Sequence, residues 1–341
     1  MFVGHGLVAF AIVVGAGRRF GWPRERLLAL GALAFAFATL PDVDILYALG
    51  GVFGSFDGPF AAASAFWATS TLVHRTVTHS LLVGGVAAVA FACWHAGGRS
   101  ATRSGRVAAH LLALVLLGGT VAVGSLVSGA LTAAILFAFA VAGLVVTELA
   151  HRRLSWLRPR TLGAVALVGL LTHPFGDLFT GEPPAMLYPL DVTLVAERLT
   201  LHPDPTLHLL AAFGLELLTV WLAVAVYLDL RGGRLRQHVC PRATLGLSYA
   251  VAALSLPAPT LEVSYHFVFS VLAVGSVGTL ELRRGETGRR VLGDGGTDES
   301  DRRAVGFGVG LADHLTAFVT ALAAVSFAVV GYTLTYLLLS P

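Results

Sequence analysis

Arginine is confined to a few short stretches of this chain, and apolar segments of nearly membrane-crossing length separate them. There is no lysine, and 21 of the 23 arginines lie in five stretches: Arg18 to Arg26, Arg99 to Arg106, Arg152 to Arg160, Arg231 to Arg242 and Arg283 to Arg303. At the opposite ends of the apolar segments stand Pro41-Asp42-Val43-Asp44, His74-Arg75-Thr76-Val77-Thr78-His79-Ser80 and His173-Pro174-Phe175-Gly176-Asp177. Cytoplasmic loops collect arginine because positive charge resists translocation. With the arginine stretches inside, the three His/Asp clusters meet outside, at one membrane level. A single site requires that arrangement.

A chain of 341 residues that is 56% hydrophobic and 13% charged, with mean hydropathy +0.78, excludes a soluble globule. A helix needs about 20 apolar residues to cross the hydrocarbon core. The expected fold is all-α: a polytopic transmembrane bundle of about ten spans, with re-entrant or interfacial segments on the outer face. The spans are read near 3–17, 27–41, 81–97, 107–126, 129–148, 161–179, 207–229, 243–257, 262–281 and 312–338. This threading places the chain in the cell's inner membrane as a multi-pass protein with its N-terminus extracytoplasmic. The first apolar segment has no positive leader, since Arg18 and Arg19 follow it, so it reads as a retained helix and not a signal peptide.

The formal charge of +3 and the pI near 9.1 then describe a cytoplasmic fringe. No arginine stretch is interleaved with aromatics in the manner of a nucleic-acid platform, so a nucleic-acid partner is not expected. Cys93 and Cys240 form neither a disulfide framework nor a metal pattern. The stretch 283–311 reads as a mobile cytoplasmic loop, and the glycine-bearing 45–72 and proline-rich 181–206 as outer excursions. Absence of an internal repeat weighs against an inverted-repeat transporter.

The clusters carry the chemistry. His173 and Asp177 are four residues apart on a helix, so an imidazole and a carboxylate share one face and can ligate one cation of the zinc or manganese kind. The Pro-Asp-x-Asp turn can put one carboxylate on a metal and leave the other to orient a histidine or a water. His74 and His79 supply the nitrogen ligands that zinc favours, and Arg75 between them suits a phosphate or carboxylate. Thr78 or Ser80 is the expected cap of the following helix. His5, between Gly4 and Gly6, reaches the same level through the topology. His202, Asp204, His208 and Glu182 are further outer candidates.

At these motifs the chain resembles the YdjM-like family, membrane-bound hydrolases inferred to depend on metal. The resemblance rests on Gly4-His5, Pro41-Asp42-Val43-Asp44, the His74 to Ser80 motif, and His173-x-x-x-Asp177-x-x-Thr180 followed by Gly181 and Pro189. It covers roughly residues 1–190, leaving 191–341 as a C-terminal helical extension. That family looks distantly similar to zinc-dependent phospholipase C and the trinuclear-zinc nucleases. Carried over, the resemblance implies His5, Asp44, His74, His79, His173 and Asp177 as metal ligands, with Asp42 an alternative to Asp44. One or two metals are implied, zinc first and manganese second. No downstream histidine and glutamate pair spaced by three completes a three-metal site.

The function expected is therefore a metal-dependent hydrolase opening to the outer face. It would cleave a phosphoester, most plausibly in a phospholipid of the surrounding bilayer. Asp42 or Asp44 would serve as base, and Arg75 would hold the developing phosphoryl charge. A divalent-cation transporter is the first alternative, but the spans below the clusters, Leu27 to Leu40 and Leu81 to Phe91, are apolar. A non-catalytic protein stapled by a structural metal is the second. A zinc peptidase fits poorly, because no His-Glu-x-x-His sequence is present.

Overall fold

In the computed structural model, residues 2–48, 58–70, 75–261, 263–279 and 311–339 are described, and among them every regular element is helical. Helices α1 (Phe2–Arg19) and α2 (Arg24–Ala38) form a hairpin, and a 3-10 segment, Pro41–Ala48, follows directly. Then come α3 (Pro59–Ser70), α4 (Leu81–Arg99), α5 (Arg103–Ser128), α6 (Ala130–Arg153), α7 (Pro159–Asp177) and α8 (Pro205–Leu230). By packing, the chain forms two compact units, Met1–Arg231 and Gly232–Pro341. That is a division by contact; the division at residue 190 is one by motif.

Local sequence sets these boundaries. Ser80 caps α4 by accepting from Leu82 N and Val83 N, so it is Ser80 and not Thr78 that fills the cap. Thr102 caps α5, and Asp204 caps α8 ahead of Pro205 in the first turn. Gly129, at φ +87°, breaks what would otherwise be one long helix into α5 and α6. Pro41 ends α2, since the residue before a proline is driven out of the helical region.

Among the described residues, five helices are long and apolar enough to cross a membrane: α4, α5, α6, α8 and His314–Leu339 of the second unit. The pair α2 and Pro41–Ala48, bent by 47°, makes a sixth if it counts as one span. The expectation of about ten therefore exceeds what the helices support. Two expected spans, 243–257 and 262–281, fold as broken helix. The first is a 3-10 run, Pro241–Val251, with a four-residue α-turn, Ala252–Ser255; the second is a short helix, Tyr265–Ala273, running into 3-10 at Val274–Thr279. Two more, α1 and α7, are apolar only between polar ends. Apolar composition alone cannot distinguish such pieces from full crossings. The loop expected at 283–311 lies outside the described residues but for its last position, which opens the final helix, Leu311–Leu339.

In the first unit the arginine ends gather together. Arg26 stacks over Trp156 at 5.2 Å, and Arg99 donates to the carbonyls of Ser155 and Leu154. Arg18 pairs with Asp229 at the far end of α8. The core beneath is built from Phe37, Phe91, Phe139, Leu136 and Leu170. Gly169 allows α7 to close on α2: a Cβ there would lie 2.8 Å from Ala34 O and 2.9 Å from Ala38 N. The opposite helix ends therefore meet with little slack, and these are the ends that carry His5, Asp42, His79 and His173.

Candidate metal centre

Four chain segments deliver the site: the start of α1, the 3-10 turn after α2, the loop before α4 and the end of α7. The 3-10 geometry explains how neighbouring acids divide their work. At three residues per turn, positions two apart point about 240° apart. Asp42 and Asp44 thus face different partners. Asp42 Oδ1 lies 3.3 Å from His173 Nε2 and 3.8 Å from His79 Nε2. Asp44 stands on the other side of His79, 3.5 Å from its Nδ1. On α7 the i, i+4 pair closes as expected, with His173 Nε2 3.7 Å from Asp177 Oδ2. His79 Nε2 is 3.1 Å from the same carboxylate oxygen, and His5 Nε2 is 3.3 Å from Asp177 Oδ1. His5, Asp44, His79, His173 and Asp177 are each 4% exposed or less.

The hydrogen-bond network fixes the histidine tautomers. His173 Nδ1 is 2.5 Å from the carbonyl oxygen of Ala38. A carbonyl only accepts, so Nδ1 carries the hydrogen and Nε2 is a bare lone pair. Thr78 donates its hydroxyl to Asp44 Oδ2 at 3.0 Å, which leaves its oxygen to accept from His79 Nδ1 at 3.1 Å. His79 Nε2 is thereby turned towards Asp177 Oδ2. Burial pushes the His79 pKa below its ordinary value, against the opposing pull of Asp177, and keeps the ring neutral. The two Nε2 atoms face each other at 3.0 Å. Beside them are Asp42 Oδ1 and Asp177 Oδ2. Two imidazoles and two carboxylates thus converge.

Charge gives the same answer. Among the described residues, Asp42, Asp44 and Asp177 gather in a buried setting in which Arg75 pairs with Asp177, and a charge buried there needs a partner. Two triads of described residues could hold a metal ion: His79 with His173 and Asp177, and His5 with Asp42 and His173. Both need His173, whose Nδ1 is committed to Ala38. One nitrogen cannot serve two ions, so the triads describe one centre.

Arg75 is held rather than free. Its guanidinium reaches Asp177 Oδ1 at 3.2 Å, Thr180 Oγ1 at 2.8 Å and the Asp177 carbonyl at 3.5 Å, while its backbone N–H donates to Asp44 Oδ2 at 3.3 Å. Its φ of +69° is a strained conformation for a residue with a side chain. Gly181 is required beside it, because a Cβ there would overlap the guanidinium. The proline-rich segment 181–206 packs over this loop: Ala185 N donates to Arg75 O, Leu81 N to Met186 O, and Ser80 Oγ to Tyr188 O.

His74 lies outside the described residues. Among the other outer candidates, Asp204 accepts from Leu207 N as a helix cap, and His202 and His208 accept from the backbone of Asp204 and Leu201. These hold loop and helix end together. Sequence reasoning missed the Ala38 carbonyl, which no side-chain pattern can flag, and the part of Thr78 in fixing a tautomer.

The family model described as YdjM inner membrane protein matches residues 1–258, so the match runs well past residue 190. The chain belongs to that family. No curated protein and no solved structure matches it.

Proposed function

We propose that this YdjM-family chain is a membrane-embedded, metal-dependent hydrolase of phosphoesters, phospholipids being the leading substrate class. We place its site on the extracytoplasmic side, opposite the arginine-bearing helix ends, with the N-terminus on that same side. One observation supports the reading: two imidazoles and two carboxylates from three chain segments come within hydrogen-bonding reach of one another, with His173 Nδ1 held by the Ala38 carbonyl.

His79, His173, Asp177 and Asp42 would hold a single divalent ion, zinc before manganese, with His5 against Asp177 at its edge. Bound there, such an ion supplies Lewis acidity towards a phosphoryl oxygen and acidifies water. The chain's own residues do the rest. The Ala38 carbonyl and the Thr78–Asp44 pair orient the two imidazoles. Arg75, 3.2 Å from Asp177 Oδ1, aims the Asp177 carboxylate. Asp42 Oδ2, buried and with no hydrogen-bond partner among the described residues, is the oxygen available to take a proton. Arg75 Nε, similarly unpartnered among those residues, is the donor left for developing phosphoryl charge.

Elemental mass spectrometry of the detergent-purified protein tests this, beside His173→Ala/Asp177→Ala and with hydrolysis of bis-p-nitrophenyl phosphate and phospholipid vesicles. One zinc or manganese per chain, lost in the variant together with hydrolysis, is expected. No bound metal after supplementation would overturn the proposal.

A further inference from the structure

A cavity of about 340 Å³ lies between α1, α7 and α8, and His5 forms part of its wall. The rest is apolar, led by Val8, Phe175, Phe179, Leu215 and Leu218. Its two threonines contribute no polarity: Thr172 Oγ1 donates to Val168 O at 2.7 Å, and Thr219 Oγ1 to Glu216 O at 2.7 Å, each within its own helix. The Gly4 N–H of the wall donates to Glu216 Oε1 at 3.4 Å, which leaves His5 as the polar side chain of the lining that meets the cluster, its Nε2 3.3 Å from Asp177 Oδ1. The cavity and the donor cluster share that ring. Gly176 shapes the junction, since a Cβ there would come within 2.6 Å of the imidazole. At the other side Phe175 and Leu218 are 51% and 62% exposed on helix faces turned away from the core, and α8 is one of the candidate spans.

We infer that this cavity receives one acyl chain of a glycerophospholipid, entering sideways from the bilayer, with its phosphoester end towards His5. The chemistry of the walls decides the occupant. Water needs two or more polar partners, and this lining offers no such set. The volume sits at the low end for ligand pockets, roughly 300–1,000 Å³, which suits one chain and not a whole lipid. Continuity with the cluster through His5 distinguishes this cavity. The orientation of the lipid rests on the hydrolase reading above; the occupancy by an alkyl chain does not.

The test uses the full-length, zinc-loaded chain in nanodiscs of phosphatidylethanolamine and phosphatidylglycerol. A fraction of the phosphatidylglycerol carries a diazirine in one acyl chain, and labelled residues are mapped by mass spectrometry after illumination. Labelling at Phe175, Leu215 and Leu218 is expected to exceed that at Leu111 and Phe137, on the lipid-facing sides of α5 and α6, by at least fivefold. Leu215→Trp, which fills the cavity, should remove the excess while zinc content stays at the wild-type value; Leu114→Trp should leave it in place. Uniform labelling, or an excess that survives Leu215→Trp, overturns the inference. Enrichment without any hydrolysis supports the chain site and defeats the hydrolase reading. Hydrolysis of bis-p-nitrophenyl phosphate without enrichment does the reverse.

Discussion

The two acids of the Pro-Asp-x-Asp turn should separate cleanly on substitution, because the turn points them at different atoms. Asp44 Oδ2 takes hydrogen bonds from Thr78 Oγ1 and Arg75 N and lies 3.5 Å from His79 Nδ1, whereas Asp42 Oδ1 faces the two Nε2 atoms. Asp44→Asn keeps the shape but removes the charge. It can also offer an N–H where Thr78 or Arg75 already donates. Loss of such an orienting partner typically costs about 10–100-fold in metal affinity, which is roughly 1.4–2.8 kcal/mol. With Asp44 only 2% exposed, solvent cannot substitute, so the upper half of that range is expected. Asp42→Asn removes a proposed ligand and should cost more than about 100-fold, beyond the usual outer-partner range. Competition titration of zinc against a chromophoric chelator, in detergent and with far-UV circular dichroism as the folding control, reads both. A change of less than threefold for Asp44→Asn would refute its orienting role. A larger loss for Asp44→Asn than for Asp42→Asn would reverse the two roles and make Asp44 the ligand, as the family resemblance implies.

Gly169→Ala should cost about 1–3 kcal/mol of stability, because the new Cβ meets backbone atoms of Ala34 and Ala38 that cannot swing aside. It should also weaken zinc binding, since the Ala38 carbonyl holds His173; a lowered melting temperature with unaltered affinity would uncouple the two. Ser80→Ala removes a cap and the bond to Tyr188 O, for about 1–2 kcal/mol, and should lower the melting temperature while leaving one metal per chain. Chelation should itself lower thermal stability: at an ion concentration a hundredfold above Kd the bound ion contributes about 2.7 kcal/mol, so a melt indifferent to chelator would count against the site.

The site was legible in sequence to an unusual depth, and the fold less so. Histidine and aspartate at the ends of apolar helices are costly enough to need a reason, and alternating arginine told which ends belong together. That argument placed His5, Asp42, Asp44, His79, His173 and Asp177 at one level, and they do meet. The same reasoning could not rank Asp42 against Asp44. Their difference lies in what each meets in the fold, His173 for Asp42 and Thr78 for Asp44, which the turn's own sequence does not name. Arg75 was read as a substrate clamp, yet most of its guanidinium is committed to Asp177 and Thr180, a pairing across about a hundred residues that only tertiary structure reveals. The count of about ten spans is not matched among the described residues, for a separate reason. Apolar runs near 243–257 and 262–281 satisfy composition, but short 3-10 and α pieces replace the continuous helix a crossing needs.

Burial alone would favour a structural staple over a catalyst, since an ion tying α1, α2, α4 and α7 together would stabilise the bundle whatever else it did. Two features argue for chemistry. A closed structural centre consumes its donors, yet Asp42 Oδ2 and Arg75 Nε are buried beside the cluster with no hydrogen-bond partner among the described residues. Unpartnered groups of that kind cost about 1–3 kcal/mol each, and these two adjoin the proposed ligands. The second feature is position. A staple is best placed where nothing reaches it, but here an apolar cavity of about 340 Å³ ends on His5, itself in contact with Asp177. Filling that cavity with Leu215→Trp therefore separates the two readings. A staple would keep its ion and its stability, and nothing else would change. A lipid hydrolase would keep its ion and lose turnover of phospholipid.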